Sequence, residues 1–295
     1  MLTTVFLPYN SNERLAQMIP EKILDLAAEL IQKGDRNAAF DLLADGVNEF
    51  PNDPKMLNNL ACLYLEDEES DRALELLSSA YKIDPDNHDI AGNYGYALMH
   101  TGDIKNAKKV LARIIEAKGD HIDAMCHLAL AETIDGNYVT AIEIFEKAIE
   151  IAPDDVRLLN NYGATLRKTG RFVQSLKVFT KAFKLAPQDV EVLCNLGSSL
   201  LRLRRYAEAE RYLRLALDIA PEDAHIYYLL GNRFREEWVD ARADSSSDRE
   251  QIQYLIMNAE RNYHRYLHYT KDFNYEDYVD AWLKELDEAK QRLVQ

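Results

Sequence analysis

Residues 156–189, VRLLNNYGATLRKTGRFVQSLKVFTKAFKLAPQD, carry the pattern that decides the fold of this chain. Two amphipathic helices fit this stretch, with a turn at Gly170 between them and Pro187 at the end of the second helix. Gly119 occupies a register in which the other units have a proline, at positions 51, 85, 153, 187 and 221. The sequence therefore repeats with a period of 34 residues.

Each unit places the same kinds of residue in the same slots. In the unit that starts at Pro54 these slots hold Leu57, Leu60, Ala61, Tyr64, Ala73, Leu77, Ala80 and Pro85. In the unit that starts at Val156 they hold Leu159, Tyr162, Gly163, Leu166, Ser175, Phe179, Ala182 and Pro187. The pattern resembles the tetratricopeptide repeat, in which Leu-Gly, aromatic, small, alanine and proline slots recur. The resemblance implies an all-α fold, a right-handed superhelical solenoid of stacked helix-turn-helix repeats.

Small residues explain how the two helices of a unit pack. Gly95, Gly163 and Gly197 in the first helix let the second helix approach closely, and alanines do the same from the second helix. A glycine also ends most of the first helices, because a left-handed backbone conformation is least costly for this residue. These turn glycines are Gly34, Gly102, Gly136 and Gly170.

The repeats predict the organisation of the chain. Residues 1–19 form an N-terminal extension, and six units follow, at 20–53, 54–87, 88–121, 122–155, 156–189 and 190–223. A seventh unit, 224–272, is interrupted near 235–250, where the polar sequence ARADSSSDRE indicates an inserted loop or a lengthened helix.

A last helix is predicted at 273–295. Its apolar residues fall near one face, which favours a cap over the exposed end of the array. They are Tyr275, Tyr278, Val279, Trp282, Leu286 and Leu293. A homo-oligomer that forms through residues 273–295 is the alternative.

Composition excludes several classes of function. The formal net charge of −15 opposes binding to nucleic acid. The three cysteines form no CxxC pair, and no run is apolar enough for membrane insertion. There is no glycine-rich phosphate loop and no HExxH motif, so we expect no cofactor, no metal and no enzyme activity. We expect a cytoplasmic protein.

One polar column runs along the first helices, which the resemblance places on the inner side of the superhelix. It consists of Asn59, Asn93, His127, Asn161 and Asn195. An asparagine amide both donates and accepts hydrogen bonds, as a peptide backbone requires. The column resembles the asparagine ladder in the repeat superhelix of O-linked N-acetylglucosamine transferase, which holds peptides, although we expect no catalytic region like that enzyme's here. The alternative is that the asparagines are inherited pattern or solvated.

Charged residues at inward positions differ between the two halves of the repeats. Acidic residues dominate the first half, at Glu21, Asp25, Glu66, Asp89 and Asp123. Basic residues dominate the second half, at Arg157, Arg167, Lys168, Arg202 and Arg235. A peptide ligand with an acidic stretch would be both held and oriented by this polarity. Solvated surface charges are the alternative interpretation.

These features predict a non-enzymatic scaffold or adaptor that binds an extended segment of a partner protein in a groove of the repeats. Two alternatives remain open. One is a dedicated assembly or secretion chaperone, favoured by a softer inward patch of Cys62, Leu65, Tyr96, Met99, Cys126 and Leu130. The other is a self-assembling structural scaffold that associates through the C-terminal helix.

Overall fold

A computed structural model describes residues 19–244, 248–270 and 276–294, and this part of the chain contains fifteen α-helices and no strands. The first helices of the repeats are α1 Pro20–Gln32, α3 Pro54–Glu66, α5 His88–His100, α7 Ile122–Ile134, α9 Val156–Lys168, α11 Val190–Arg202 and α13 Ala224–Ala241. The second helices are α2 Arg36–Glu49, α4 Ser70–Ile83, α6 Ile104–Ala117, α8 Tyr138–Ile151, α10 Phe172–Leu185, α12 Tyr206–Ile219 and α14 Arg249–Tyr269. Helix α15 spans Glu276–Val294. The predicted all-α class is confirmed.

Local side chains set the helix boundaries. Most of the first helices begin after a residue whose side chain accepts a backbone N–H bond, as Asp155 does from Leu158 at 3.1 Å. The four predicted turn glycines have φ between 76° and 87°, in the left-handed region. The same turn position in two other repeats is filled by Glu68 and Arg204, which adopt φ of 62° and 57°. The backbone shape of the turn is therefore kept even where glycine is absent.

Close contact between the two helices of a pair depends on the small residue in the first helix. A Cβ atom added at Gly197 would lie 2.6 Å from a Leu213 methyl carbon, and one at Gly163 would lie 2.7 Å from the Phe179 ring. Leu213 and Phe179 are fully buried. The prediction that these glycines allow close helix approach is confirmed.

The chain divides into two compact units at Ile151. Unit 1 contains α1 to α8 of the described chain, and unit 2 contains α9 to α15. Within each unit the second helix of one pair packs on the first helix of the next, and successive first helices also touch. The core of each unit is a series of small apolar clusters between neighbouring helices, as expected for stacked repeats.

The seventh pair is longer than the others. Helix α13 has 18 residues, whereas each of the other first helices has 13. The additional turn of α13 brings Trp238 and Ala241 into a cluster with Leu255 and Ile256 of α14. Residues up to Ala241 of the interrupted stretch thus continue the helix, and residues 245–247 lie outside the described part.

Helix α15 packs on α14 with the apolar face that the sequence predicts. Val279 and Leu286 are fully buried, and the Trp282 ring lies 5.5 Å from the Tyr263 ring. Tyr278 is 62% exposed, because it lies at the edge of this face, and Tyr275 falls outside the described residues. The predicted capping helix is therefore present. Residues 1–18 of the predicted N-terminal extension also lie outside the described part.

Candidate protein-binding site

A cleft of about 680 Å³ lies within unit 2, among the first helices α9, α11 and α13 and the C-terminal helix α15. Four of the predicted basic residues, Arg167, Lys168, Arg202 and Arg235, line it together. Its other lining residues are Gly170, Phe172, Ser198, Leu201, His225, Tyr228, Leu229, Asn232, Glu236 and Trp282. We call this depression the basic cleft.

The repeat register explains why these cations converge. Arg167 and Lys168 end α9, Arg202 ends α11, and Arg235 occupies the matching part of α13. Helices α9, α11 and α13 lie side by side in unit 2, so residues in equivalent positions face the same surface. The sequence-based grouping of these four residues is thus found in the structure.

Arg167 is held in the cleft by a chain of asparagines. Its guanidinium donates a hydrogen bond of 3.0 Å to the Oδ1 atom of Asn195. The amide of Asn195 in turn donates to the Oδ1 atom of the buried Asn160 at 2.8 Å. Desolvation, and to a smaller extent the nearby positive charge of Arg202, lower the pKa of Arg167. Both effects disfavour the charged form of a guanidinium.

The cleft cations differ in how they are paired. Within the described part of the chain, Arg167, Lys168 and Arg202 have no carboxylate within salt-bridge distance. Arg235 does have one, because it bonds to Glu285 of α15 at 2.8 Å, and its guanidinium lies 4.8 Å from the Trp282 ring centre. Three of the four cations are therefore available for an external anion.

One carboxylate also lies in the cleft. Glu236 is half-buried, and desolvation raises its pKa, although the charges of Arg202 and Arg235 oppose this shift. The side chain makes no ion pair within 4.0 Å in the described chain. Protonation of Glu236 would therefore make the cleft more positive.

The remaining predicted residues of unit 2 lie elsewhere. Arg157 is at the beginning of α9, has a 72% exposed side chain, and pairs with Asp155 at 3.2 Å. Asn161 is half-buried in the middle of α9. Neither residue lines the basic cleft.

Unit 1 contains a matching asparagine network without a cation. The amide of Asn93 donates to the Oδ1 atom of buried Asn58 at 2.9 Å and contacts the sulfur of Cys62 at 3.3 Å. Asn59 accepts a long bond of 3.4 Å from Asn58. Desolvation, with a smaller effect of Glu66, raises the pKa of Cys62 to about 11, so its thiol is protonated at neutral pH.

An aromatic cluster lies on the first helices α5 and α7 of unit 1. The Tyr96 ring lies 4.8 Å from the His127 ring and 4.3 Å from the His100 ring. His127 is half-buried in α7. Leu65 and Leu130, from the predicted softer patch, are partly buried against apolar clusters between helices.

Sequence reasoning missed several residues of the basic cleft. Tyr228 and Asn232 could have been found by extending the inward register into α13, as was done for Arg235. Phe172 belongs to a second helix, and Trp282 belongs to α15, so the repeat pattern gives no signal for them.

Other kinds of site find no support in the described residues. No group of three or more His, Cys, Asp or Glu side chains in this part of the chain could hold a metal ion. None of its helices combines the length and the apolar character needed to cross a membrane.

Comparison with solved structures shows what kind of fold this is. A tetratricopeptide repeat protein from Parabacteroides merdae has a TM-score of 0.64 and 17% identity, over 90% of this chain and 98% of that chain. PilW, a type IV pilus biogenesis factor, has a TM-score of 0.63 and 17% identity, over 72% of this chain and 98% of its own. Both identities are low, so these likenesses show the fold alone. Comparison with curated protein sequences gave no match.

Comparison with protein families is more direct. Three family models, all described as tetratricopeptide repeat, match residues 24–88, 64–132, 120–188 and 154–222. Together these matches run without a gap through six helix pairs of the structure. The chain therefore belongs to the tetratricopeptide repeat family.

Proposed function

We propose that this chain is a non-catalytic scaffold that binds an extended, acidic segment of a partner protein on the first helices of its repeats. Repeats of this family serve as protein-interaction surfaces. The basic cleft of unit 2 is the part of this surface that receives the acidic side chains.

The observation that carries this proposal is that three cations of the cleft form no ion pair with a carboxylate of the described chain. Arg167, Lys168 and Arg202 line one depression, although the full sequence of 295 residues has a formal net charge of −15. Most other arginines of unit 2 are paired, as Arg214 is with Glu210 at 2.6 Å. A local excess of positive charge on an acidic chain favours an anionic partner and orients its approach.

The test uses a fluorescein-labelled, glutamate-rich peptide without aromatic or aliphatic side chains, and a lysine-rich peptide of equal length. We expect the glutamate-rich peptide to raise the fluorescence anisotropy on binding and the lysine-rich peptide to have no effect. Added salt should weaken the binding, because the cleft is open to solvent.

Variants locate the site. The double variant Arg167→Gln and Arg202→Gln should lower the affinity at least about tenfold, since two charge-assisted contacts are lost. The matched control is Lys184→Gln with Arg211→Gln, which removes the same charge from exposed positions on the second helices α10 and α12. Equal losses in both double variants would show that binding depends on net charge and not on the cleft.

A further inference from the structure

A second depression of about 430 Å³ adjoins the basic cleft in unit 2. The two share Phe172, Leu201, Arg202, Arg235 and Glu236 as lining residues, so they are neighbouring compartments with a common wall. We call this second depression the side compartment.

The lengthened seventh pair builds the outer wall of the side compartment. Val239 and Asp240 line it, and both follow Glu236, the residue at which a first helix of 13 residues would end. The other six first helices stop at that length, so they present no equivalent wall. The extra turn of α13 is therefore what separates this part of unit 2 from an ordinary repeat surface.

Polar contacts to the preceding repeat fix this wall. The hydroxyl of Tyr206 donates to Asp240 Oδ2 at 2.5 Å, and Arg204 forms an ion pair with the same carboxylate. Nearby, the buried Arg233 pairs with Glu210 at 2.9 Å. A compartment fixed in this way is largely formed before a ligand arrives, which reduces the entropy lost on binding.

The lining of the side compartment combines apolar and basic groups. Phe172 and Val239 are half-buried, so their apolar atoms are accessible from the cavity. Leu201 also lines the compartment, although it is only 4% exposed. Arg202 and Arg235 stand on the wall shared with the basic cleft. An apolar side chain could enter the compartment while a carboxylate of the same segment contacts Arg202, which has no carboxylate within salt-bridge distance in the described chain.

We infer that the side compartment receives a bulky aromatic or aliphatic side chain from the same partner segment whose acidic residues occupy the basic cleft. The recognised motif is then an apolar residue two positions from an acidic one, and the inference rests on the proposed function. Neighbouring side chains on an extended peptide point to opposite sides, with a repeat of about 7 Å for every second residue. Two residues separated by one position therefore point to the same side and can enter neighbouring compartments.

The experiment compares the glutamate-rich peptide with a version in which one central residue is phenylalanine. We expect the phenylalanine peptide to bind about tenfold more tightly to the wild-type chain, because the ring leaves water in the side compartment. Val239→Ser should remove this gain and leave the affinity for the glutamate-rich peptide unchanged. The matched control Val173→Ser, at a 59% exposed position of α10, should keep the gain.

A second variant distinguishes a blocked compartment from a misfolded wall. Val239→Phe keeps the position apolar but fills the compartment, so it should also remove the gain, with a circular dichroism spectrum like that of the wild type. Equal affinities of the two peptides for the wild-type chain would overturn the inference, as would equal losses in Val239→Ser and Val173→Ser. Absence of binding by the glutamate-rich peptide would instead refute the proposed function, and the inference would fall with it.

Discussion

Unit 1 and unit 2 contain the same buried asparagine bond but differ in the residue beside it. Asn58 and Asn160 lie three periods of 34 residues apart, and each accepts a hydrogen bond from the asparagine one repeat later, at 2.9 Å from Asn93 and 2.8 Å from Asn195. This bond satisfies a buried amide oxygen between successive first helices. It is therefore a structural contact in both units.

The difference lies in the residue at the slot of Arg167. In unit 1 that slot holds Leu65, and the Asn93 amide turns to the sulfur of Cys62. In unit 2 the oxygen of Asn195 accepts a bond from Arg167 and holds this cation in the cleft. The asparagines therefore stabilise the stack in both units, and Arg167 adds a positive charge beside them in unit 2, where unit 1 has the uncharged Leu65.

The largest expected effect tests this separation of roles. Asn195→Ala and Asn93→Ala should each lower the free energy of unfolding by about 1–3 kcal/mol, because a buried amide oxygen loses its donor. Only Asn195→Ala should also lower the affinity for the glutamate-rich peptide. Urea denaturation and fluorescence anisotropy measure the two effects. A similar loss of peptide affinity in both variants would erase the distinction between the units.

A smaller effect is expected from the cation alone. Arg167→Leu gives unit 2 the residue found in unit 1, and it should lower the affinity for the glutamate-rich peptide about tenfold. The free energy of unfolding should change by less than about 1 kcal/mol, because removing a partly desolvated charge offsets the lost hydrogen bond. Peptide titrations and urea denaturation of the same samples check both values. A large loss of stability would instead assign Arg167 a structural role.

The turns offer a third comparison of the units. Glu68→Gly should stabilise the chain by about 1 kcal/mol, because a left-handed backbone is costly for a residue with a side chain. Arg204→Gly relieves the same strain but loses the ion pair with Asp240, so its gain should be smaller. Thermal denaturation of both variants would show which gain in stability is larger. Gly102→Ala is the opposite change and should lower the stability. Destabilisation by Glu68→Gly would contradict it.

The smallest effect concerns pH. Because desolvation raises the pKa of Glu236, this side chain begins to take up a proton above the usual range of a glutamate, and the cleft then loses a negative charge. The glutamate-rich peptide should therefore bind more tightly at mildly acidic pH than at neutral pH, while its own carboxylates are still ionised. Protonation of His225, which also lines the cleft, would act in the same direction. Glu236→Gln should flatten this dependence in anisotropy titrations. An unchanged pH profile in that variant would exclude Glu236 as its source.

The repeat pattern made most of the fold predictable. Gly163 and Gly197 reveal close helix contacts in the sequence itself, because only small residues fit there. The basic cleft was predictable in part from the repeat register, since Arg167 and Arg235 lie two periods of 34 residues apart and Lys168 and Arg202 lie one period apart. The position of a residue in the fold can be predicted wherever that residue follows the 34-residue repeat.

Residues that depart from the period could not be placed from the sequence. Val239 lies in the extra turn of α13, and Trp282 belongs to a helix outside the repeats, so no register relates them to the cleft. The bond between Asn160 and Asn195 depends on how adjacent first helices pack in three dimensions. The doubled asparagines at 58–59 and 160–161 were visible, but their partners were not.

The lengthened seventh pair also has a consequence for growth of the array. At a rise of about 1.5 Å per residue, the five extra residues of α13 extend it by roughly 7.5 Å beyond an ordinary first helix. Another pair of standard length stacked on α14 would leave part of this 21-residue helix without a neighbour. Helix α15, with 19 residues, is long enough to cover it. The extra length of the seventh pair therefore disfavours the stacking of another repeat of standard length on α14.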